Sequence, residues 1–194
     1  MKKYEFTGET KQINLLFRTA TLHRIRAVVE FGLVKIGDLG GWIEKEENLS
    51  HDGKAWVWDN AEVWDNAEVW GNAEVWGNAE VCGDAEVCGD AKVCGDAEVC
   101  GDAKVCGDAE VFSASHVLVI GAIGSRNDFT TFFRDKDGEI TVKCGCFLGK
   151  IDRFLEKVAS THGNSKYALV YRAAVEVAKL QIDLTGEAPE MDEE

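Results

Sequence analysis

The residues able to do chemistry are few and scattered. Cys144-Gly145-Cys146 is the tightest pair of metal-ligating side chains in the 194-residue chain. Structural zinc sites take four ligands and space their cysteines by two to four residues. Here one residue intervenes, a strand would send both side chains to one face, and the nearest histidine, His162, is 16 residues on. Packing is the expected role. The histidines are His23, His51, His116 and His162, and none lies within residues 55–112. Arg126-Asn127-Asp128 is a polar loop cluster of the kind that often carries function, and a turn with a local ion pair explains it equally well. Arg18, Arg24 and Arg26 read as a solvated strand face. Carboxylates are the commonest reactive group: 35 Asp and Glu against 21 Lys and Arg, a net charge of -14.

What must position these groups is a repeat. From Ala55 to Phe112 the chain runs AWVWDN, AEVWDN, two copies of AEVWGN, then AEVCGD or AKVCGD, and closes on AEVF, ten units at a six-residue period. A fixed short period decides the architecture before any single residue does. Within a unit, Ala79 and Val81 point to one side of an extended strand, and Glu80 and Cys82 to the other. The Gly-Asp, Gly-Asn or Asp-Asn pair that follows tolerates positive φ and reads as a corner. Apolar residues at this period form no helical stripe. Strands so short bury nothing alone, so they must coil and stack, each rung bonded to the next as parallel sheet.

Val81, Cys82, Gly83, Asp84, Ala85 and Glu86 place an aliphatic residue first and a small one fifth, and in this the stretch resembles the hexapeptide-repeat, left-handed parallel β-helix family. The resemblance implies three units to a triangular turn of 18 residues, hence about three triangular coils, a prism ~16 Å tall at ~4.8 Å per rung. Residues 18 apart then stack. One face would carry Glu62, Glu80 and Glu98 beside Trp64, Cys82 and Cys100. A second would carry Glu68, Glu86 and Lys104 beside Trp70, Cys88 and Cys106. On the third, Lys92 lies between Glu74 and Glu110, next to an apolar column of Trp58, Trp76, Cys94 and Phe112. Exposed Trp in a row marks an interaction surface. This column is expected to mediate self-association into a dimer or trimer, as in trimeric members of the family, or to dock against the caps. The best-known members are acyltransferases with a His as general base, but the coils hold neither a His nor a substrate loop. They also lack the three-His zinc set of the family's carbonic anhydrases and the Thr arrays of its ice-binding members.

Five of the seven Cys, from Cys82 to Cys106, recur every six residues and read as repeat filling. They are expected as free thiols under reducing conditions, although Cys82 over Cys100 and Cys88 over Cys106 would lie close enough to bridge if oxidised. Residues 1–54 are expected to be an N-terminal β cap, with strands in INLLF, IRAVVEF and LVKIG, because an open solenoid end exposes core and unpaired backbone. The stretch IRAVVEFGLVKIGDLGGWIEKEENLSHDGKAWVWDNAEV resembles the opening of YdcK-type bacterial hexapeptide-repeat proteins. Residues 113–184 read as a C-terminal α+β domain: a strand in HVLVIGAIG, a hairpin turning at Asp137-Gly138, and two helices. The first helix has a stripe of Ile151, Phe154, Leu155 and Val158. The second has Tyr167, Val170, Tyr171, Ala174, Val177 and Ala178, with Asn164 or Ser165 as cap. Its segments GSRNDFTTFFR, KCGCFLGKID and THGNSKYA are similar to C-terminal modules of phage and prophage proteins. Residues 185–194 read as an acidic, disordered tail.

The fold class expected is thus mainly β, a short left-handed parallel β-helix between two caps. Residues 55–112 carry seven Glu and seven Asp against two Lys, so the repeat is the acidic body, which argues against direct nucleic-acid binding. No run of 18 apolar residues suggests a membrane span, the Met-Lys-Lys start lacks the apolar core of a signal peptide, and the cytoplasm is the expected location. No cofactor or metal is expected. The functional expectation is a non-enzymatic interaction protein. Glu62, Glu80, Glu98, Glu68, Glu86, Asp84 and Asp102 would meet a protein partner with a basic surface, as in a phage-encoded inhibitor of a host defence or nucleic-acid-handling protein that mimics acid. The alternatives are an acyltransferase relative, an oligomer that sequesters a small ligand, and carboxylates that merely keep an edge-rich β-fold soluble.

Overall fold

The computed structural model describes residues 1–187 and 189; of the tail expected over 185–194, residues 188 and 190–194 lie outside the described residues. Each hexad forms one two-residue strand or little more: β4 (Trp56–Val57), β5 (Glu62–Val63), β6 (Glu68–Val69), β7 (Glu74–Val75), β8 (Glu80–Val81), β9 (Glu86–Val87), β10 (Lys92–Asp96), β11 (Glu98–Val99), β12 (Lys104–Val105) and β13 (Glu110–Ser113). They follow β1 (Tyr4–Asn14), β2 (Thr19–Ala27) and β3 (Leu39–Ile43). Val63, Val81 and Val99 stand in parallel register and are fully buried, as are the Ala and Val of every hexad. The Glu62 N–H donates to the Ala79 carbonyl at 2.9 Å and the Trp64 N–H to Val81 at 3.0 Å, a pattern that recurs up the stack. Coils eighteen residues long are therefore vertical neighbours, and the chain is a parallel β-solenoid.

The solenoid has about four turns, one more than the hexads account for. Face 1 stacks β3, β5, β8 and β11; face 2 stacks β6, β9 and β12; face 3 stacks β4, β7, β10 and β13. The extra turn comes from β3, parallel to β5, and from Leu49, bridged to Val69 below face 2. No hexad announces this turn, but Gly40-Gly41 does. A Cβ on Gly40 would stand 2.6 Å from Ile25 Cγ1, and one on Gly41 2.6 Å from the Ala61 carbonyl oxygen, so only glycine lets the turn close against its neighbours.

The N-terminal hairpin extends face 1 downward, β1 and β2 antiparallel to each other and β2 to β3. The strand expected in LVKIG is instead a loop, of which Phe31 and Val34 alone bridge. Its Phe31 packs with Tyr4 on Trp56, which takes the place that Glu holds in most later hexads and is fully buried. The loop is thus a plug on the first hexad.

At the other end, β14 (Val117–Ile123), β15 (Asp128–Arg134), β16 (Ile140–Cys144) and β17 (Phe147–Lys150) form an antiparallel sheet. Alternation along β15 decides its two faces: Phe133 caps the solenoid core, while Phe132 joins the core beneath helices α1 (Ile151–His162) and α2 (Lys166–Gln181). The top coil is tied to the sheet by Lys104 N–H to Thr131 Oγ1 at 3.0 Å and Lys136 N–H to the Asp108 carbonyl at 3.0 Å. The turn at Asp137-Gly138 is organised by the buried Asp135 carboxylate, which accepts from Thr141 and Lys150 at 2.5 Å each and from two turn amides. Burial pushes this carboxyl up, but Lys150 and Thr141 outweigh it and hold it below the usual range. In α1 the stripe falls as expected. In α2 it does so in part: Tyr171, Ala174 and Ala178 are buried as expected, joined by Ala168 and Val175, but Val170 and Val177 face out.

Candidate functional site

The seven carboxylates expected to meet a partner all lie on face 1, face 2 or the corner between them. Glu62, Glu80 and Glu98 stack on face 1; Glu68 and Glu86 stack beneath Lys104 on face 2; Asp84 and Asp102 stand at the corner, above Asn66. The corner exists because a left-handed residue follows each strand, Asp65 at φ 57 in the lower coil and Gly83 and Gly101 at 71 and 69 above.

Their charges are not equally free. The N-terminal hairpin supplies cations to the lowest rung: Lys11 Nζ lies 2.5 Å from Glu62, and Arg18 pairs with Glu44 at 2.6 Å and with Asp65. Arg18 holds the Glu44 carboxyl below its ordinary range. On face 2 Lys104 pairs with Glu86 at 2.6 Å, and on face 3 Arg134 lies 3.5 Å from Glu110. Of the seven, and among the described residues, Glu68, Glu80, Glu98, Asp84 and Asp102 have no ion pair. Burial, and then the Glu62 and Glu98 charges, push the Glu80 carboxyl up, and Lys11 draws it partly back. Asp84 accepts a hydrogen bond from Asn66 Nδ2 at 3.0 Å.

A second feature escaped the sequence. Below face 2 an open groove of about 720 Å³ is lined by Glu46, Glu47, Asp52, His51, Glu68 and Trp70, and the indole of Trp70 is 43% exposed. An aromatic face ringed by carboxylates suits a cationic side chain. The hexad phase alone does not distinguish Trp70 from Trp64 or Trp76, which are 6% and 5% exposed.

Of the two expectations for the apolar column of face 3, contact within the chain is the one its burial supports. Trp58, Trp76, Cys94 and Phe112 do stack, but Trp76 is 5% and Cys94 1% exposed, and Trp58 and Phe112 at the ends are half-buried. Stacked neighbours 18 residues apart cover one another, and at the top the chain returns, with Gly186 against the Phe112 ring and its carbonyl 3.3 Å from Arg134 Nη2. The column is covered by the chain's own residues.

The thiols divide. Cys82 and Cys100 are joined by a disulfide between coils, Cα to Cα 4.6 Å, one of the two pairs expected to bridge if oxidised; Cys88 and Cys106, the other pair, stacked in the same way on face 2, are free and buried. Burial pushes the Cys94 thiol up to about 12. Cys144 and Cys146 do not share a strand face: Cys146 stands exposed on the turn between β16 and β17, and Cys144 faces Tyr171 and Thr130. Among the described residues no three His, Cys, Asp or Glu side chains come together as a metal site. His116 is buried, its pKa lowered by that burial and by Arg134, and its Nδ1 accepts the Phe112 N–H, so it is a packing residue at the top coil. No described helix is long and apolar enough to cross a membrane.

The fold and this surface define the class: a capped parallel β-solenoid with carboxylates stacked on two of its faces. Compared with known proteins, the chain matches no family model and no curated protein.

Proposed function

We propose that the chain is a non-enzymatic interaction protein that binds a partner with a basic surface through the upper half of face 1 and its corner with face 2. The observation that carries this reading is the set of unpaired carboxylates Glu80, Glu98, Asp84 and Asp102, on a rigid stack. Such a surface raises the local concentration of cationic partners and steers their approach. The groove at Trp70 supplies an anchor for one Lys or Arg of that partner. The hexad pattern supports the left-handed hexapeptide-repeat type, and the phage-like segments of the C-terminal domain support a host protein as target, one whose basic groove accepts nucleic acid.

The test is affinity capture from the producing or infected cell, with captured proteins identified by mass. Glu80→Gln, Glu98→Gln, Asp84→Asn and Asp102→Asn combined are expected to lower recovery of a basic protein at least tenfold, as a rise in salt also does. A control that removes the same four charges away from this surface (Glu9→Gln, Glu30→Gln, Asp152→Asn and Glu156→Gln) is expected to leave recovery intact. Recovery indifferent to the four substitutions and to salt overturns the reading.

A further inference from the structure

Helix α2 is apolar on two sides. One side, with Ala168, Tyr171, Ala174, Val175 and Ala178, packs on the C-terminal sheet and α1. The other carries Val170 at 40%, Val177 at 48% and Leu180 at 89% exposure, with Ala173 exposed among them and Leu169 exposed at the edge. On a helical projection these five fall within an arc of about 100°, and Val170, Ala173, Val177 and Leu180 recur at intervals of three, four and three, the spacing of a coiled-coil seam. Single exposed apolar residues need no explanation, but a contiguous stripe does. The neighbouring helix makes the contrast: the outward positions of α1 are Asp152, Arg153, Glu156, Lys157, Ala159, Ser160 and Thr161, with no large apolar residue among them.

We infer that this face of α2 pairs, antiparallel, with α2 of a second copy of the chain. The stripe is complementary to itself about a two-fold axis at the level of residue 175. There Val170 lies opposite Leu180 of the second copy, and Ala173 opposite Val177, small against larger. The flanking charges agree. Glu176 falls within one turn of Arg172 of the second copy, and the symmetry of a closed dimer makes both pairs at once. In the single chain Glu176 reaches only Lys179, at 3.0 Å. No residue of this seam belongs to the acidic surface, so the pairing stands or falls independently of the function proposed above. One helix pair is a small interface, which places the dimer among weak, concentration-dependent ones.

Sedimentation equilibrium on the full chain between about 1 and about 200 µM tests this, in the range expected of a small interface. The mass is expected to climb from 21.3 kDa toward twice that value. Val177→Asp, at an exposed position, is expected to hold the chain at the monomer mass throughout, with unchanged circular dichroism. Glu176→Arg and Arg172→Glu, each alone, are expected to weaken association several-fold, and the two together to restore it. A monomer at every concentration overturns the inference. So does a dimer that ignores Val177→Asp, or one for which the charge swap restores nothing.

Discussion

The lower and upper coils share one interior and differ in everything outside it. Below, the fourth position of the hexad is Trp and the corner residue Asn; above, they are Cys and Asp. The change falls between Asn78 and Asp84, so each of the three corners acquires one amide beneath one carboxylate. Asn66 donates to Asp84 at 3.0 Å, Asn72 to Asp90 at 2.9 Å and Asn78 to Asp96 at 3.1 Å. The lower coils are also where the N-terminal cap sends its cations and aromatics. Identical Ala and Val ladders thus support two differently decorated halves, joined by a ring of three charge-assisted bonds. The lesson is that an inward pattern can be held constant while the outward pattern is changed one coil at a time.

The largest effect that would break this comparison concerns stacking itself. A Cβ on Gly89 would lie 2.7 Å from the Gly107 nitrogen, whereas nothing lies within 4 Å of one on Gly101 at the open top of the corner. Both glycines are left-handed, at φ 74 and 69. Gly89→Ala is expected to cost about 3 kcal/mol or more and Gly101→Ala about 1 kcal/mol, measured by thermal unfolding. Equal costs would mean that the coils are not in contact at their corners.

A smaller effect tests the ring. Converting Asn66, Asn72 and Asn78 together to Asp removes three donors and stacks like charges. The expected loss is about 0.5–1 kcal/mol per site, partly recovered in high salt. The smallest effect has the opposite sign. Glu80→Gln is expected to stabilise the protein by about 0.5 kcal/mol at neutral pH, because it removes a carboxylate held between Glu62 and Glu98. Since the folded state raises the Glu80 pKa, it takes up the proton before the unfolded chain does. Glu80 therefore adds to stability as pH falls from neutral through that raised pKa, and the difference between wild type and Glu80→Gln shrinks there.

The solenoid was legible because its signal is periodic: Val63, Val81 and Val99 share one register in sequence and in space. The fourth turn was not, because β3 closes through Gly40-Gly41 and carries no hexad. Trp76 and Cys94 were misread as surface because hexad phase reports direction, and burial depends on what the chain lays alongside. Cys146 was misplaced by the two-residue turn at Gly145, whose φ of 56 ends the strand. In α2 a helical period with apolar residues on two sides cannot say which side is core, so Val170 and Val177 were assigned inward. Of the candidate surface, the identities of the carboxylates were legible; that Lys11 and Lys104 pair with Glu62 and Glu86 and spare Glu68, Glu80, Glu98, Asp84 and Asp102 required the fold.

One circuit of the stack consumes eighteen residues and returns the chain to the same azimuth. Removing one circuit between the terminal domains would bring them closer by about 4.8 Å without turning either. Removing a single hexad would swing one around the axis by a third of a revolution. The body therefore acts as a ruler graduated in whole circuits, whose length can be edited while everything mounted on its two ends keeps its bearing.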